Sequence, residues 1–126
     1  MLDHRNLVAW QVSRAVVVGV LRLARHRWQP WASALFDQLQ RASLSVQLNI
    51  AEGYAFGLSP TYRRHLGIAY GSCVETIELI ELAAECGLLR PDGDQDLLAD
   101  ARRSRALLIG LLRRHRPMRG TTPATD

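Results

Sequence analysis

Five polar side chains recur every three or four residues in and before the segment NIAEG: Gln38, Arg41, Ser45, Asn49 and Glu52. In an α-helix this spacing places them in one line along one side. An amide, a guanidinium and a carboxylate in such a line could form a reactive site or a ligand cleft. They could instead join two helices as a structural network.

The partners of this polar line are predicted to lie on the following helix. The chain turns shortly after the line ends, so an antiparallel neighbour places residue i opposite roughly residue 113 − i. Gln38 then lies near Glu75, and Arg41 lies near Ser72 and Glu75. Asn49 resembles an asparagine that sets the register of a coiled coil. The spacing therefore favours a structural network, and a ligand cleft is the alternative.

No combination of side chains in the sequence is typical of a catalytic or metal centre. The four glutamates in residues 75–85 share one broad helix face without an interleaved histidine, which indicates a solvated or arginine-paired face. Cys73 and Cys86 match no metal-binding spacing and are predicted to be small core residues. No two histidines are four residues apart, since they are His4, His26, His65 and His115. The sequence predicts no enzyme, no cofactor and no metal.

Arginines cluster in two places where a polyanion could bind. The first cluster, Arg63 and Arg64, adjoins the aromatic segment YAFGLSPTY, and arginines mixed with aromatic rings can hold phosphates and stack on bases. The second cluster comprises Arg102, Arg103, Arg105, Arg113, Arg114, Arg116 and Arg119. RNA or DNA is therefore a predicted partner, and salt bridges between helices or subunits are the alternative.

The charge of the chain is divided among three segments. All 16 basic residues are arginines, and the formal net charge is +4. Residues 1–74 hold 8 arginines and 3 acids, residues 75–100 hold 1 and 8, and residues 101–126 hold 7 and 1. The resulting charges are +5, −7 and +6. The +6 end indicates a nucleic acid, an acidic partner surface or an anionic membrane surface, and ion pairing between helices is the alternative.

Length and composition predict one all-α domain, an antiparallel up-down four-helix bundle. The chain has 126 residues, of which 48% are hydrophobic and only 6% aromatic, so the core is mostly aliphatic. The domain covers residues 1–116, and residues 117–126 are predicted to be a disordered tail. Helices are predicted at about residues 4–27, 30–53, 60–86 and 95–115.

Three local signals mark the helix boundaries. Ser59 followed by Pro60 is typical of an N-cap and a first helical residue. Gly87 is typical of the position just after a helix. Asp92 or Asp94 is predicted to cap the fourth helix.

Heptad-like seams predict which sides of helices 2 and 3 face the core. On helix 2 the seam consists of Leu35, Leu39, Ala42, Val46, Asn49 and Gly53. On helix 3 it consists of Leu66, Tyr70, Cys73, Ile77, Ile80 and Ala84.

Both helices also carry a second apolar face, whereas a helix in an isolated bundle needs only one. These faces include Leu44 and Leu48 on helix 2 and Ile68, Leu79 and Leu82 on helix 3. They are predicted to be the subunit interfaces of a homo-oligomer. A wide core stripe with a few exposed leucines is the alternative.

The N-terminal part of the sequence has no secretory pattern. Its most apolar run, AVVVGVLRLA, is interrupted by Arg22 and is too short to span a bilayer. A cytoplasmic protein without membrane contact is therefore expected.

Two segments resemble the family of proteins first met as open reading frames within intervening sequences of bacterial 23S ribosomal RNA genes. QLQRASLSVQLNIAEG follows a helix 2 signature of the form Q-L-x-R-A-x-x-S-I-x-x-N-I-A-E-G, with Val46 at the isoleucine. IAYGSCVE follows a helix 3 signature of the form I-A-x-G-S-x-x-E. The resemblance covers roughly residues 7–89. The chain lacks the proline that the family often has near Gln47, so helix 2 is expected without a kink, and it also lacks lysine.

The resemblance implies an antiparallel bundle that assembles as a homopentamer. It also implies kinship with the accessory variability determinant of diversity-generating retroelements, a positively charged pentameric barrel that binds nucleic acid and a reverse transcriptase. The resulting hypothesis is a non-catalytic, nucleic-acid-binding homo-oligomer with a reverse transcriptase as partner. The alternative is a structural or protein-partner oligomer with no nucleic-acid role.

Overall fold

Four α-helices make up the part of the chain that the structure describes. The structure is a computed structural model, and it describes residues 3–90 and 94–116. The helices are α1 (Val8–Arg27), α2 (Ser33–Tyr54), α3 (Pro60–Glu85) and α4 (Gln95–Arg114). These residues contain no strand, so the predicted all-α class with four helices is confirmed. None of the described helices is both long and apolar enough to cross a bilayer. The predicted tail lies outside the described residues.

The first turns of α1 and α2 differ from the prediction. The 3₁₀ turns His4–Asn6 and Pro30–Ala32 precede these helices, which therefore begin a few residues later than expected. Tight hydrogen bonds between residues three apart close both turns. The start of α3 agrees with the prediction, because the Ser59 hydroxyl accepts a hydrogen bond from the Tyr62 N–H at 3.2 Å.

A glycine and an arginine close the end of α3. Gly87 has a φ of +75°, a conformation that glycine adopts without strain, and the Leu88 N–H donates to the Ala83 carbonyl at 2.9 Å. Arg27 of α1 donates from Nε to the Leu88 carbonyl at 3.1 Å and from Nη2 to the Gly87 carbonyl at 3.0 Å. A positive charge is favourable near the carbonyl end of a helix. The two hydrogen bonds of Arg27 also join α1 to the residues just after α3.

Asp94 occupies the N-cap position of α4, as one of the two predicted caps. Its carboxylate accepts from the Arg90 N–H at 2.7 Å and makes no capping bond to the helix. The other predicted cap, Asp92, lies outside the described residues. This hydrogen bond joins the start of α4 to Arg90.

The helices surround one core, each lying against two neighbours. α2 contacts α1 and α3, and α4 contacts α3 and α1, which leaves α1 and α3 on a diagonal. Pairing of Gln38 with Glu75 at one end and of Asn49 with His65 at the other shows that α2 and α3 are antiparallel. The core is mainly aliphatic, and its two largest fully buried side chains are Tyr62 and Phe36.

The buried side of α2 is rotated slightly from the predicted seam. Phe36 and Ile50 are fully buried, whereas Leu35 and Asn49 are only half-buried. Burying two large apolar side chains removes more apolar area from water than burying an amide, which also needs hydrogen-bond partners. On α3 a similar shift leaves Ala84 exposed and Tyr70 half-buried, while Ala69 and Ala83 are buried.

Candidate functional site

The polar line of α2 meets α3 along the interface between the two helices. Gln38 Nε2 donates to Glu75 Oε2. The hydroxyl oxygens of Ser45 and Ser72 are 2.8 Å apart. Asn49 Nδ2 donates to the Ser45 carbonyl at 2.9 Å and lies 3.2 Å from the Ser45 hydroxyl. These contacts join five residues of the predicted network across or along the interface.

Arg41 and Glu52 do not take part in this network. Both side chains are exposed, and neither makes a hydrogen bond or an ion pair with another of the described residues. The predicted pairing of Arg41 with Ser72 and Glu75 is not found. At about 100° per residue, Arg41 lies on the outer side of α2, where its guanidinium avoids the desolvation that a place between two helices would require.

His65 is the partner of Asn49 on α3. Its Nδ1 lies 2.9 Å from Asn49 Oδ1, and its ring stacks on Phe56 with 6.0 Å between centroids and 14° between planes. The Asn49 amide nitrogen already donates to Ser45, so its oxygen is the acceptor and His65 Nδ1 the donor. The pairing rule that joins Gln38 to Glu75 places Asn49 near residue 64, so this contact could have been found from the sequence.

Gly53 allows the end of α2 to approach α3 at this point. A Cβ atom on Gly53 would lie 2.5 Å from the Cβ of His65 and 3.3 Å from Cδ1 of Tyr62. Carbon atoms in packed interiors do not approach to 2.5 Å, so only glycine fits. Within the segment NIAEG, Asn49 binds His65 and Gly53 leaves room for it.

Within the described residues, the contacts of the Asn49–His65 pair fit a structural contact better than a catalytic one. A catalytic histidine acts with a hydroxyl, thiol or carboxylate within hydrogen-bond reach, and the neighbours of His65 here are an amide and an aromatic ring. Residues 3–90 and 94–116 contain no group of three or more His, Cys, Asp or Glu side chains that could hold a metal ion. The geometry favours the structural interpretation of this network over a ligand cleft.

Tyr62, next to Gly53, gives a prediction about alkaline pH. Its side chain is 1% exposed, and its hydroxyl has no hydrogen-bond partner among the described residues. Burial and the nearby Tyr54 raise the pKa of Tyr62, and Arg114 opposes this shift. The unfolded chain therefore releases this proton at a lower pH than the folded chain. The free energy of unfolding should be unaffected below about pH 10 and should fall as the pH rises further.

Urea unfolding of Tyr62→Phe at neutral and alkaline pH checks this prediction. The variant should lose the alkaline decrease that Tyr62 causes. At neutral pH it should be as stable as the original protein or slightly more stable, because an unpaired buried hydroxyl has been removed. An alkaline decrease of the same size in both proteins would contradict the assignment.

The two cysteines differ in burial and are therefore expected to differ in reactivity. Cys73 is buried and its thiol donates to the Ala101 carbonyl at 3.4 Å, whereas Cys86 is exposed, so the prediction of Cys86 as a core residue is wrong. Burial raises the pKa of the Cys73 thiol, which lowers its thiolate fraction at neutral pH.

A disulfide reagent should label one thiol per native chain quickly and the second only in denaturant. In Cys86→Ser the fast reaction should disappear, and its persistence would contradict this assignment.

The arginines predicted to bind nucleic acid occupy different parts of the surface. Arg102 is paired with Glu81 at 3.1 Å, and Arg64 is exposed on α3. At about 100° per residue, Arg103 and Arg114 lie on the side of α4 towards α1. Arg105 and Arg113 lie on the side of α4 towards α3, as Arg102 does, and Arg116 follows the end of the helix.

Arginines from both predicted clusters meet in one cleft between α3 and α4. The cleft has a volume of about 220 Å³ and is lined by Arg63, Tyr70, Ile109, Leu112, Arg113 and Arg116. Arg63 Nη1 donates to the Leu112 carbonyl at 3.3 Å, which holds this guanidinium beside the cleft. No ion pair joins Arg63, Arg113 or Arg116 to an acid within the described residues. We call this place the arginine cleft.

Four of the five residues predicted for a subunit interface are exposed in the single chain. The exposed fractions are 38% for Leu44, 49% for Leu48, 47% for Ile68 and 46% for Leu82. Leu79 differs, because it is half-buried and packs against the core. These four exposed side chains lie on α2 and α3, two on each helix, and we call them the apolar outer face.

Comparison with known proteins identifies one family. A search of curated proteins found no match. The family model described as 23S rRNA-intervening sequence protein matches residues 5–110. The matched span contains α1, α2, α3, the Asn49–His65 contact and Gly53, while Arg113 and Arg116 follow it. The chain therefore belongs to the family of 23S rRNA-intervening sequence proteins.

Proposed function

We propose that this protein is a non-catalytic nucleic-acid-binding protein and that its arginine cleft holds the phosphate backbone of RNA or DNA. The convergence of Arg63, Arg113 and Arg116 at one place carries the proposal. Each guanidinium offers paired donors that match the geometry of a phosphate. Three such groups without an acidic partner among the described residues are available to bind a polyanion.

Tyr70 supports a single strand as the bound form. Its ring is half-buried at the cleft beside Ile109 and Leu112. Aromatic rings between backbone-binding arginines provide stacking surfaces for unpaired bases, and every base can stack in this way. A duplex would present only its backbone, because its bases are already stacked on one another.

Fluorescence anisotropy with labelled single-stranded RNA and DNA over a series of salt concentrations tests the proposal. Each phosphate contact with a single strand contributes about −0.7 to the slope of log affinity against log salt. Three arginines therefore predict a slope of about −2 for each bound chain. No binding at low salt, or an affinity that does not depend on salt, would overturn the proposal.

A homo-oligomer is the second part of the proposal, with a pentamer as the expected number. The apolar outer face of the α2–α3 pair supports it, since soluble monomers rarely leave such side chains exposed together. Beside Leu82 lie Glu78 and Glu85, an acidic border that an arginine-rich surface of another copy could contact, whereas Glu81 is already paired with Arg102. In the alternative function, a structural or protein-partner oligomer, the arginines serve only such subunit contacts.

Mass measurement tests the oligomer. Leu48→Glu combined with Ile68→Glu should convert the particle to smaller species, because two buried unpaired charges would oppose each contact. Leu21→Glu is the control, since Leu21 is 44% exposed on α1, away from this face. Light scattering on the three proteins gives their masses. A monomeric mass for the unchanged protein at micromolar concentration would contradict the prediction.

We also propose a reverse transcriptase of a diversity-generating retroelement as the protein partner. The support for this partner is the sequence resemblance, in NIAEG and its neighbouring segments, to a family related to the accessory variability determinant of such retroelements. A reverse transcriptase gene beside the gene for this protein would add support. The two proteins should then copurify after nuclease treatment. Separation under that treatment would leave nucleic acid as the only link between them.

A further inference from the structure

The turn between α2 and α3 carries an exposed aromatic ring, that of Phe56. This residue is 61% exposed, and its ring stacks on the ring of His65. The His65 ring is in turn held by its hydrogen bond to Asn49 at 2.9 Å. Because so much of Phe56 is exposed, the side of its ring that faces away from His65 is open to solvent. Phe56 therefore offers one flat apolar surface to a partner.

Backbone hydrogen bonds hold Phe56 in a defined turn. The Phe56 N–H donates to the Gly53 carbonyl at 3.1 Å, and the Gly57 N–H donates to the Tyr54 carbonyl at 3.1 Å. Gly57 has a φ of +71°, which glycine adopts without strain, so the chain can change direction directly after Phe56. A ring that is already held in position loses little conformational entropy when a ligand binds to it.

The charges near Phe56 favour an anionic partner. Residues 53–74 contain two arginines, Arg63 and Arg64, and no acid. Glu52, exposed in the last turn of α2, is the nearest acid in the sequence. Arg63 belongs to the arginine cleft, and Arg64 is exposed in the same turn of α3. An aromatic ring beside arginines is typical of surfaces that bind single-stranded nucleic acid.

We propose that Phe56 stacks on one base of the single strand whose phosphates the arginine cleft holds. This inference rests on the proposed function and adds a second contact on the other side of α3. Arg63 and His65 are two positions apart, which is about 200° around the helix, so the cleft and the Phe56 ring lie on opposite sides of α3. A helix is about 10–12 Å wide, a distance that about three or four nucleotides cover at about 3.4 Å each. The strand crosses the start of α3 past Arg64.

The exposed tryptophans at the other end of the bundle have different surroundings. Trp28 and Trp31 are 48% and 67% exposed and lie at the connection between α1 and α2. The same end holds the last turns of α3 and the start of α4, which belong to the segment 75–100 with its net charge of −7. That charge repels a polyanion. Phe56 is thus distinguished by its basic surroundings and not by exposure alone.

Anisotropy titrations of the full chain with one single-stranded RNA test the stacking contact. Phe56→Leu keeps an apolar side chain but removes the flat ring, so the affinity should fall by about 5- to 100-fold. The slope of log affinity against log salt should stay the same, since stacking releases no counterions from phosphates. Phe56→Trp should bind at least as tightly as the unchanged protein. Trp31→Leu is the matched control and should leave the affinity unchanged.

A strand of the same length without bases separates stacking from charge. Phe56→Leu and the unchanged protein should bind this abasic strand equally, because it has no base to stack. An equal loss on both strands would overturn the stacking contact. Unchanged affinity of Phe56→Leu for the normal strand would also overturn it and leave the arginine cleft in place, and a changed particle mass in light scattering would then assign the ring to a subunit contact. Absence of binding by the unchanged protein would overturn the proposed function itself, and the stacking contact with it.

Discussion

Replacing Gly53 with alanine is expected to lower the free energy of unfolding by about 2–3 kcal/mol. The added Cβ would lie 2.5 Å from the Cβ of His65, which is fixed to the backbone of α3 and cannot rotate away. The two helices must therefore separate locally, and the hydrogen bond between Asn49 and His65 loses its geometry. Urea unfolding at matched protein concentration measures the effect, since stability depends on concentration if the protein assembles.

Gly110→Ala is the matched control for this prediction. Gly110 also lies in a helix, but a Cβ there would meet no atom within 4 Å. Alanine should stabilise that position by about 0.5–1 kcal/mol, because glycine is the poorer helix former. His65→Ala should not rescue Gly53→Ala, since the clash involves the Cβ that alanine retains. If both glycine variants proved more stable, the close approach at Gly53 would be refuted.

The start of α3 and the α2–α3 pairing could be predicted because they depend on short-range signals, whereas α1 and α2 begin a few residues later than expected. Ser59 with Pro60 defines the start of α3 through local hydrogen bonding and a fixed φ. The five-residue connection between α2 and α3 limits the register, and this limit was enough to place Gln38 beside Glu75. Signals of this kind involve only residues that are close in the sequence, so they can be interpreted without knowing the rest of the fold.

The rotation of each helix about its axis was harder to predict. A repeat of 3.5 residues and one of 3.6 select neighbouring positions, so the seam could pass through Asn49 or through Ile50. Burial of the larger apolar side chains decides between them, and that depends on all four helices together. The exposed position of Arg41 follows from this rotation, which is why the sequence did not reveal it.

The arginine cleft depends on long-range packing in the same way. Arg63 and Arg113 are fifty positions apart in the sequence, and they belong to two separate clusters of arginines. The antiparallel arrangement of α3 and α4 brings the start of one helix to the end of the other. The hydrogen bond from Arg63 to the Leu112 carbonyl joins these two helix ends. Arg102 was predicted for the same role but is paired with Glu81.

Charge reversal in the arginine cleft is expected to weaken nucleic-acid binding by about 10- to 100-fold at moderate salt. The variant combines Arg113→Glu with Arg116→Glu, because both side chains are exposed and their replacement leaves the core intact. The slope of log affinity against log salt should become shallower by about 1.4, which corresponds to two lost phosphate contacts. Anisotropy titrations with the same single-stranded RNA measure both quantities.

Arg22→Glu with Arg25→Glu is the control for this variant. Each pair of replacements changes the net charge from +4 to 0, but Arg22 and Arg25 are exposed on α1, diagonally across the bundle from α3. The control should weaken binding by less than about threefold, since distant charges act only through a screened field. Equal losses in both variants would mean that net charge alone attracts the nucleic acid. A smaller particle for the Arg113 and Arg116 variant, with RNA affinity unchanged, would assign these arginines to subunit contacts instead.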